Sequence, residues 1–416
     1  MTPVRFGGGA IAAMGLLLGA MACAPRPADQ ARLEPRILTE GAPDTARLSP
    51  RMLPEPSPVE REYVAYVVSE SVDEVSRIVF GPQGARLDKV VPVGISMTDP
   101  DGPHGVALSP DGEFYYVTTA HGIPGGDLWK FRRADDTPLG RITLGPFPAT
   151  AQVSPNGWYV WAVNFNLHGE MVTSSVSVVE TGAMIEIARV ETCTMPHGSR
   201  LNPAGTRHYS ACMMDDAMVE IDAERFGVTR HFLLTGGKEQ GRDGAPPKRR
   251  LADAAHAGHD MGGHGLEPPK PGDVSCSPTW AQPSADGTRI WVACNKSSEI
   301  VEVDVASWSL LRRIPAGPGV YNLAVTHDGR LLIGTNKRGQ SISVFDTQSG
   351  RELARIPTSK RVTHGAAVTS DDRYAFITNE GVGSEKATVD VIDLRALRVV
   401  ATVEVGQQAG GVDVLK

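Results

Sequence analysis

One eleven-residue pattern occurs six times in this chain without gaps, and it limits the possible folds more than any other feature. The first three copies are Ser109-Pro-Asp-Gly-Glu-Phe-Tyr-Tyr-Val-Thr-Thr119, Ser154-Pro-Asn-Gly-Trp-Tyr-Val-Trp-Ala-Val-Asn164 and Asn202-Pro-Ala-Gly-Thr-Arg-His-Tyr-Ser-Ala-Cys212. The others are Ser284-Ala-Asp-Gly-Thr-Arg-Ile-Trp-Val-Ala-Cys294, Thr326-His-Asp-Gly-Arg-Leu-Leu-Ile-Gly-Thr-Asn336 and Thr369-Ser-Asp-Asp-Arg-Tyr-Ala-Phe-Ile-Thr-Asn379. Each opens on turn chemistry suited to a hairpin and runs into β-branched and aromatic residues suited to a strand. A short strand of small residues precedes each copy, as in Gly105-Val-Ala-Leu108.

After each copy comes a third strand such as Ser341-Ile-Ser-Val-Phe345, a turn, and a fourth such as Glu352-Leu-Ala-Arg-Ile356. Four strands in about 42 residues make a propeller blade. The chain ends supply one more: 63–68, 75–80 and 87–93 read as second to fourth strands of a blade whose first strand is 411–415. The expectation is an all-β, seven-bladed β-propeller over residues 59–416, monomeric, its ring closed by N- and C-terminal strands that would otherwise be exposed edges. The 45 glycines and 31 prolines among 416 residues agree with that many turns.

The Ser-Pro-Asp-Gly openings and Tyr-Val-Thr-Asn-like endings resemble the YVTN-repeat propellers, a family of bacterial envelope and archaeal surface proteins. The resemblance covers residues 60–416. Copies ending in Asn164, Asn336 and Asn379 match best, and Thr119, Cys212 and Cys294 depart at the last position. It implies a fold similar to the copper-bearing propeller of nitrous oxide reductase, to haem-d1 domains and to lactonases, and selects no function among them.

Residues 1–22 read as an export signal, with Arg5 before an apolar run from Ala10 to Met21. Ala20-Met21-Ala22 suits ordinary signal peptidase, whereas Cys23 after small residues resembles a lipobox with Ala20 in place of the commoner Leu. Lipidation of Cys23 would leave four cysteines, an even number, in an oxidising compartment, and this favours it. Residues 23–58 then form a lipidated Cys and flexible tether, placing the propeller on the periplasmic side of the cell envelope, at the outer membrane in a Gram-negative cell. The formal charge of −7, without a basic block, argues against nucleic acid as a partner.

Connections into first strands and those between second and third strands share one face of a propeller, here called the upper face. Five positions before each copy stand His104, Ala149, His197, Thr279, Tyr321 and His364, with Gly410 in the closing blade. His121 and His168 follow second strands and belong to the same face. Converging neutral imidazoles suit a transition metal; the alternative is that Pro-His-Gly turns merely cap strands. The insertion 236–274 carries His256, His259, Asp260, Met261 and His264, a set that suits copper or zinc, or is a loop that binds metal adventitiously. Cys193 and Cys276 precede first strands and Cys212 and Cys294 end second strands, so adjacency favours Cys193–Cys212 and Cys276–Cys294 among three connectivities. His208, His231 and His327 read as structural.

No Cys-x-x-Cys-His for covalent haem, no Gly-x-Ser-x-Gly and no P-loop occurs. The leading expectation is an envelope lipoprotein that binds a transition metal, copper or zinc, at its upper face for metal handling or periplasmic redox chemistry. The alternatives are a binding scaffold for a periplasmic protein or ligand, and a lactonase-type hydrolase drawing on the ring histidines with Arg200 or Arg361.

Overall fold

The turn that opens each copy is built by side chains. In Ser109, Ser154, Ser284, Thr326 and Thr369 the hydroxyl donates to the Asp or Asn two residues on and accepts the N–H of the residue five on. Asn202 is the variant, its own amide oxygen accepting from the Thr206 and Arg207 N–H groups. These clasps satisfy backbone groups that the tight turn would leave unpaired, which is why short polar residues recur there.

The structure, a computed structural model, describes residues 55–96, 98–121, 125–250 and 274–416. The first sheet contains β1 (Tyr63–Ser69), β2 (Glu74–Gly81) and β3 (Gly84–Pro92). The second contains β4 (Pro103–Leu108), β5 (Phe114–Thr119), β6 (Asp127–Arg132) and β7 (Thr137–Thr143). The third contains β8 (Pro148–Val153), β9 (Tyr159–Asn164), β10 (Thr173–Glu180) and β11 (Ile185–Thr194). A nine-stranded sheet follows. One antiparallel group comprises β12 (Pro196–Leu201), β13 (Arg207–Cys212), β14 (Ala217–Asp222), β15 (Gly227–Leu233) and β16 (Gln240–Asp243). The other comprises β17 (Pro278–Pro283), β18 (Arg289–Cys294), β19 (Glu299–Asp304) and β20 (Ser309–Pro315), and a single parallel bridge, Gly198 to Trp280, joins them. Next are β21 (Val320–Val325), β22 (Leu331–Asn336), β23 (Ser341–Asp346) and β24 (Glu352–Pro357), then β25 (Thr363–Val368), β26 (Tyr374–Asn379), β27 (Thr388–Asp393) and β28 (Arg398–Glu404). Finally β29 (Ala409–Val414) pairs antiparallel with β1, so both chain ends share the first sheet.

The result is a propeller-like ring of sheets in which β29, β4, β8, β12, β17, β21 and β25 neighbour one another in a closed cycle around an axis. Apolar side chains fill the spaces between adjacent sheets: Tyr63 and Phe80 of the first, for example, pack on Tyr374 and Phe376 of β26. Burying each such ring contributes roughly 1.5–3 kcal/mol.

Crowding at the axis explains the glycines and threonines of the repeat. A Cβ on Gly105 would meet the Ala149 carbonyl oxygen at 2.2 Å, and one on Gly365 the Gly410 oxygen at 2.7 Å. Each inner strand is also irregular at this level, as between Pro103 and Gly105 or Thr363 and Ala366, which frees a backbone N–H from the ladder. The tenth residue of the copy caps it. Thr118 accepts from Gly105 N–H and donates to the Ala149 carbonyl of the next inner strand, and Thr378 does the same for Gly365 and Gly410. Where Val163 or Ala293 stands at that position, an inner-strand threonine bridges to the next sheet instead, Thr150 to His197 O and Thr279 to Tyr321 O.

The eleventh residue ties the second strand to the third or, in the cysteine copies, to the stretch that leads into the first, Cys193 at the end of β11 and Cys276 ahead of β17. Asn164 and Asn336 each donate to two serine hydroxyls of the third strand. In the copies ending in cysteine the tie is covalent, Cys193–Cys212 and Cys276–Cys294, with Cα atoms 5.8 and 4.4 Å apart.

Two boundaries differ from expectation. The insertion begins as structure, because β16 adds to the edge of β15 and residues 244–250 run back to β10, where Arg249 and Thr173 exchange hydrogen bonds. Adjacent carboxylates hold its two ends: Asp215 pairs with Arg249 at 3.1 Å, and Asp216 accepts the N–H groups of Ser275, Cys276 and Ser277. The expected tether also stops short of residue 58. Arg373 donates to the carbonyls of Ser57 and Pro58, and Arg398 pairs with Glu55. The export segment, Cys23, His256, His259, Met261 and His264 lie outside the described residues.

Candidate functional site

A cavity of about 510 Å³ opens on the upper face at the axis. His104 of β4, Thr279 of β17, Tyr321 of β21, His364 of β25 and Gly410 of β29 line its floor, and Lys337, Glu380 and Glu70 its polar walls. Phe147, Phe165 and Met213 supply an apolar side. The imidazoles converge as their shared position in the repeat implies: ring centroids of His104 and His364 are 5.6 Å apart, and those of His104 and His197 6.1 Å.

The three rings are not equivalent. His197 donates from Nδ1 to the Thr279 carbonyl (2.9 Å) and accepts at Nε2 from the Tyr321 hydroxyl (2.8 Å), so both its nitrogens are committed. Its Nδ1 bond runs between the inner strands β12 and β17, where Ala211 leaves the sheet without a bridging threonine. The imidazole is therefore a strut. By contrast Nδ1 of His104 and Nδ1 of His364 are buried without a well-formed hydrogen bond among the described residues, the Gly410 carbonyl lying near His364 but out of good geometry. Buried polar atoms are usually paired, but orphans also occur in packed strands, as on His208; what sets His104 and His364 apart is that their rings line the cavity, where a ligand could meet them.

Electrostatics keep these rings neutral. Burial lowers the pKa of His104, with Glu70 opposing, and lowers that of His364 well below its ordinary value, with the Lys337 charge adding to the effect. His197 is pushed down to about 3 by burial and by His104. Lys337 stays charged: burial opposes its ammonium, but Tyr321 and Glu380 outweigh this and raise its pKa. Its Nζ lies 2.9 Å from Glu380 and 4.2 Å from the Tyr321 ring centroid, a paired cation over an aromatic face. Glu380 also stands 3.7 Å from Nε2 of His364.

His121 and His168 flank the mouth without lining the cavity. Their rings are 5.9 Å apart, each packs on Phe147, and Nε2 of His121 bonds Glu70 at 3.1 Å. Among the described residues no group of three His, Cys, Asp or Glu side chains is arranged to hold a metal ion. His208 and His231 are buried in strands, and His327 bonds Asp372 in an opposite-face turn. Arg200 lines a separate cavity that opens at the other end of the axis. Lys337, Glu380 and Glu70 were not among the sequence candidates. The first two directly follow the terminal Asn of a repeat copy, Asn336 and Asn379, which is the signal that would have found them.

Neutral imidazoles with free nitrogens can accept a proton from water or ligate a metal, and the adjacent ammonium can polarise a carbonyl. No family model matches the chain, and no curated protein matches it in sequence. Among solved structures it is similar to a periplasmic gluconolactonase of Pseudomonas aeruginosa, PpgL, at 16% identity and TM-score 0.60, covering 86% of this chain and 99% of that one. It is similar to hydrazine synthase of Kuenenia stuttgartiensis at 18% identity and TM-score 0.58, covering 78% and 92%. A functionally unknown protein from Desulfotomaculum acetoxidans DSM 771 gives 13% identity and TM-score 0.59, covering 84% and 98%. At such identities these likenesses establish the propeller-type fold and nothing finer.

Proposed function

We propose that this chain is a seven-bladed propeller of the YVTN-repeat kind whose upper axial cavity binds a small, oxygen-rich organic molecule and acts on it by acid–base chemistry. The blade count treats the nine-stranded sheet as two blades, since only the Gly198–Trp280 bridge joins its antiparallel groups. One observation supports the activity: two adjacent imidazoles, His104 and His364, line the cavity neutral and without a well-formed hydrogen bond at Nδ1, beside the Lys337 ammonium. One imidazole takes the proton of an attacking water while Lys337 stabilises the negative charge that develops on a carbonyl oxygen. That assignment fits hydrolysis of a cyclic ester, and the gluconolactonase that shares the fold makes aldonolactones the first class to assay. His104→Ala and His364→Ala should each lower kcat on an aldonolactone by about 10²-fold, the usual worth of a general base, with no effect of chelator. Rates unchanged in both variants would end this reading.

A second reading is favoured by the same orphan nitrogens, which suit copper or zinc. His197 is committed elsewhere and Lys337 places a positive charge nearby, so a metal would rest on His104 and His364 with ligands from beyond the described residues. Elemental analysis of the mature, tag-free protein tests it. Stoichiometric metal lost in His104→Ala/His364→Ala, or on deletion of residues 252–266, would establish a metal site and displace the hydrolase. Export with lipidation at Cys23 is part of the same proposal, and the mass of the mature N-terminus, compared with Cys23→Ala, decides it.

A further inference from the structure

The other end of the axis holds a second cavity, of about 530 Å³, walled by Val106, Leu108, Val153, Leu323, Ala366 and Val412 among others. Arg200 of β12 lines it. The guanidinium lies over the indole of Trp280, 4.3 Å from the ring centroid, and spends one donor on the Ser199 carbonyl at 2.8 Å. Among the described residues no carboxylate lies within ion-pair distance of it. Asp413 lines the same cavity, but its two oxygens accept the N–H groups of Leu108 and Val414. Gln152 accepts the Leu201 N–H, and among the described residues its amide nitrogen has no partner.

The placement of Arg200 follows from the fold. Gly198 approaches Trp280 so closely that a Cβ there would meet the indole at 2.2 Å, and this contact sets the ring beneath the guanidinium two residues on. Burial lowers the pKa of Arg200 to about 10, Asp413 opposing only in part, so holding this cation here costs stability. An unpaired cation that the fold immobilises on an aromatic face, with most of its fork free, has the geometry of a carboxylate receptor. The apolar inner strands share the lining with polar groups, among them Gln152, Asn202, Asp413 and Lys416, and at this volume such a mixed cavity suits a small molecule with both an apolar body and a polar head.

We propose that this lower cavity binds a small organic acid, its carboxylate on the fork of Arg200 and its hydrocarbon body against the apolar inner strands. The site is separate from the His104 and His364 cavity and does not depend on the activity proposed for it. Benzoate is a suitable probe and benzyl alcohol its neutral counterpart, both titrated calorimetrically into the full chain. Benzoate should bind in the sub-millimolar range and benzyl alcohol should not. Binding should persist in His104→Ala/His364→Ala, weaken roughly tenfold or more in Arg200→Met, and be intermediate in Arg200→Lys, which keeps the charge but not the fork. Arg200→Met should melt no lower than the parent. Equal binding of the two probes, no benzoate binding to the parent chain, loss of binding in the histidine variant, or unchanged affinity without the guanidinium would each overturn the proposal. If Arg200→Met fails to fold, the parent's discrimination between the probes and the affinity of Arg200→Lys still decide.

Discussion

Replacing Thr378 by Val tests whether the repeat's threonine is a structural bridge. The side chains are nearly isosteric, and the site is fully buried, so packing is preserved while the hydroxyl is removed. Two bonds of 2.7 Å are lost, one from the Gly365 N–H and one to the Gly410 carbonyl. The inner strand is irregular at Gly365, so the ladder offers its N–H no other partner. An orphaned buried donor costs about 1–3 kcal/mol and the carbonyl adds less, giving about 2–4 kcal/mol in all. Thr150→Val removes a single bond, to His197 O, and leaves only an acceptor unpaired, so about 1 kcal/mol is expected. Urea unfolding followed by tryptophan fluorescence measures both. At an m of about 3 kcal/mol per molar, Thr378→Val should lower the midpoint by about 1 M with m unchanged, and Thr150→Val by about a third of that. Equal shifts in the two variants, or no shift in Thr378→Val, would show that the hydroxyls do not hold neighbouring inner strands together.

His208 is buried against Trp161 with neither ring nitrogen partnered among the described residues, and burial pushes its pKa down to about 3. His208→Phe should therefore stabilise the protein by about 1–3 kcal/mol. It should also flatten the acid limb: the unfolded chain takes a proton near pH 6.5 that the folded ring refuses until about pH 3, costing the parent about 1.4 kcal/mol per pH unit between them. Destabilisation, or an unchanged slope from pH 6 to 4, would refute this account. The His121–Glu70 pair predicts the opposite pH behaviour. Hydrogen bonding to Glu70 raises the pKa of His121, so that contribution is full below pH 6.5 and fades as pH rises through the shifted value. Glu70, although burial opposes it, is held below its ordinary 4.5 by His121, so its contribution fades only as pH falls through the lowered value. The stability difference between parent and Glu70→Gln should be greatest between about pH 4.5 and 6.5 and narrow towards pH 9. A gap as large at pH 9 as at pH 5.5 would rule the pair out as its source.

The repeat made strands, turns and the two disulfides legible because each rests on local chemistry: hydroxyl clasps, alternation, and cysteines 19 and 18 residues apart, although Cys193 sits in β11 of the preceding sheet and not in the sheet of Cys212. The join between the β12–β16 and β17–β20 groups was not legible, since it depends on Gly198 admitting an indole from far along the chain. The histidine positions were readable, but the division of labour among them was not. His104, His197 and His364 occupy one repeat position, and what distinguishes them lies in other residues. Ala211 leaves His197 to bridge two inner strands, whereas Thr118 and Thr378 serve that purpose beside His104 and His364. Arg200 was grouped with the ring histidines although it stands three residues along an extended strand from His197. At about 3.3 Å per residue this carries it some 10 Å down the axis, to the opposite cavity.

The hold of Asp215 and Asp216 on Arg249 and on the N–H groups of Ser275, Cys276 and Ser277 makes the intervening stretch a natural cassette. Both attachments use described residues that flank 251–273. Closing a loop costs only about 0.6 kcal/mol more for each doubling of its length. The ring thus fixes the two points between which any sequence here must run. A peptide tag or a small guest domain spliced between Arg249 and Ser275 would begin and end at anchored residues, the first of which also donates to the Met214 carbonyl.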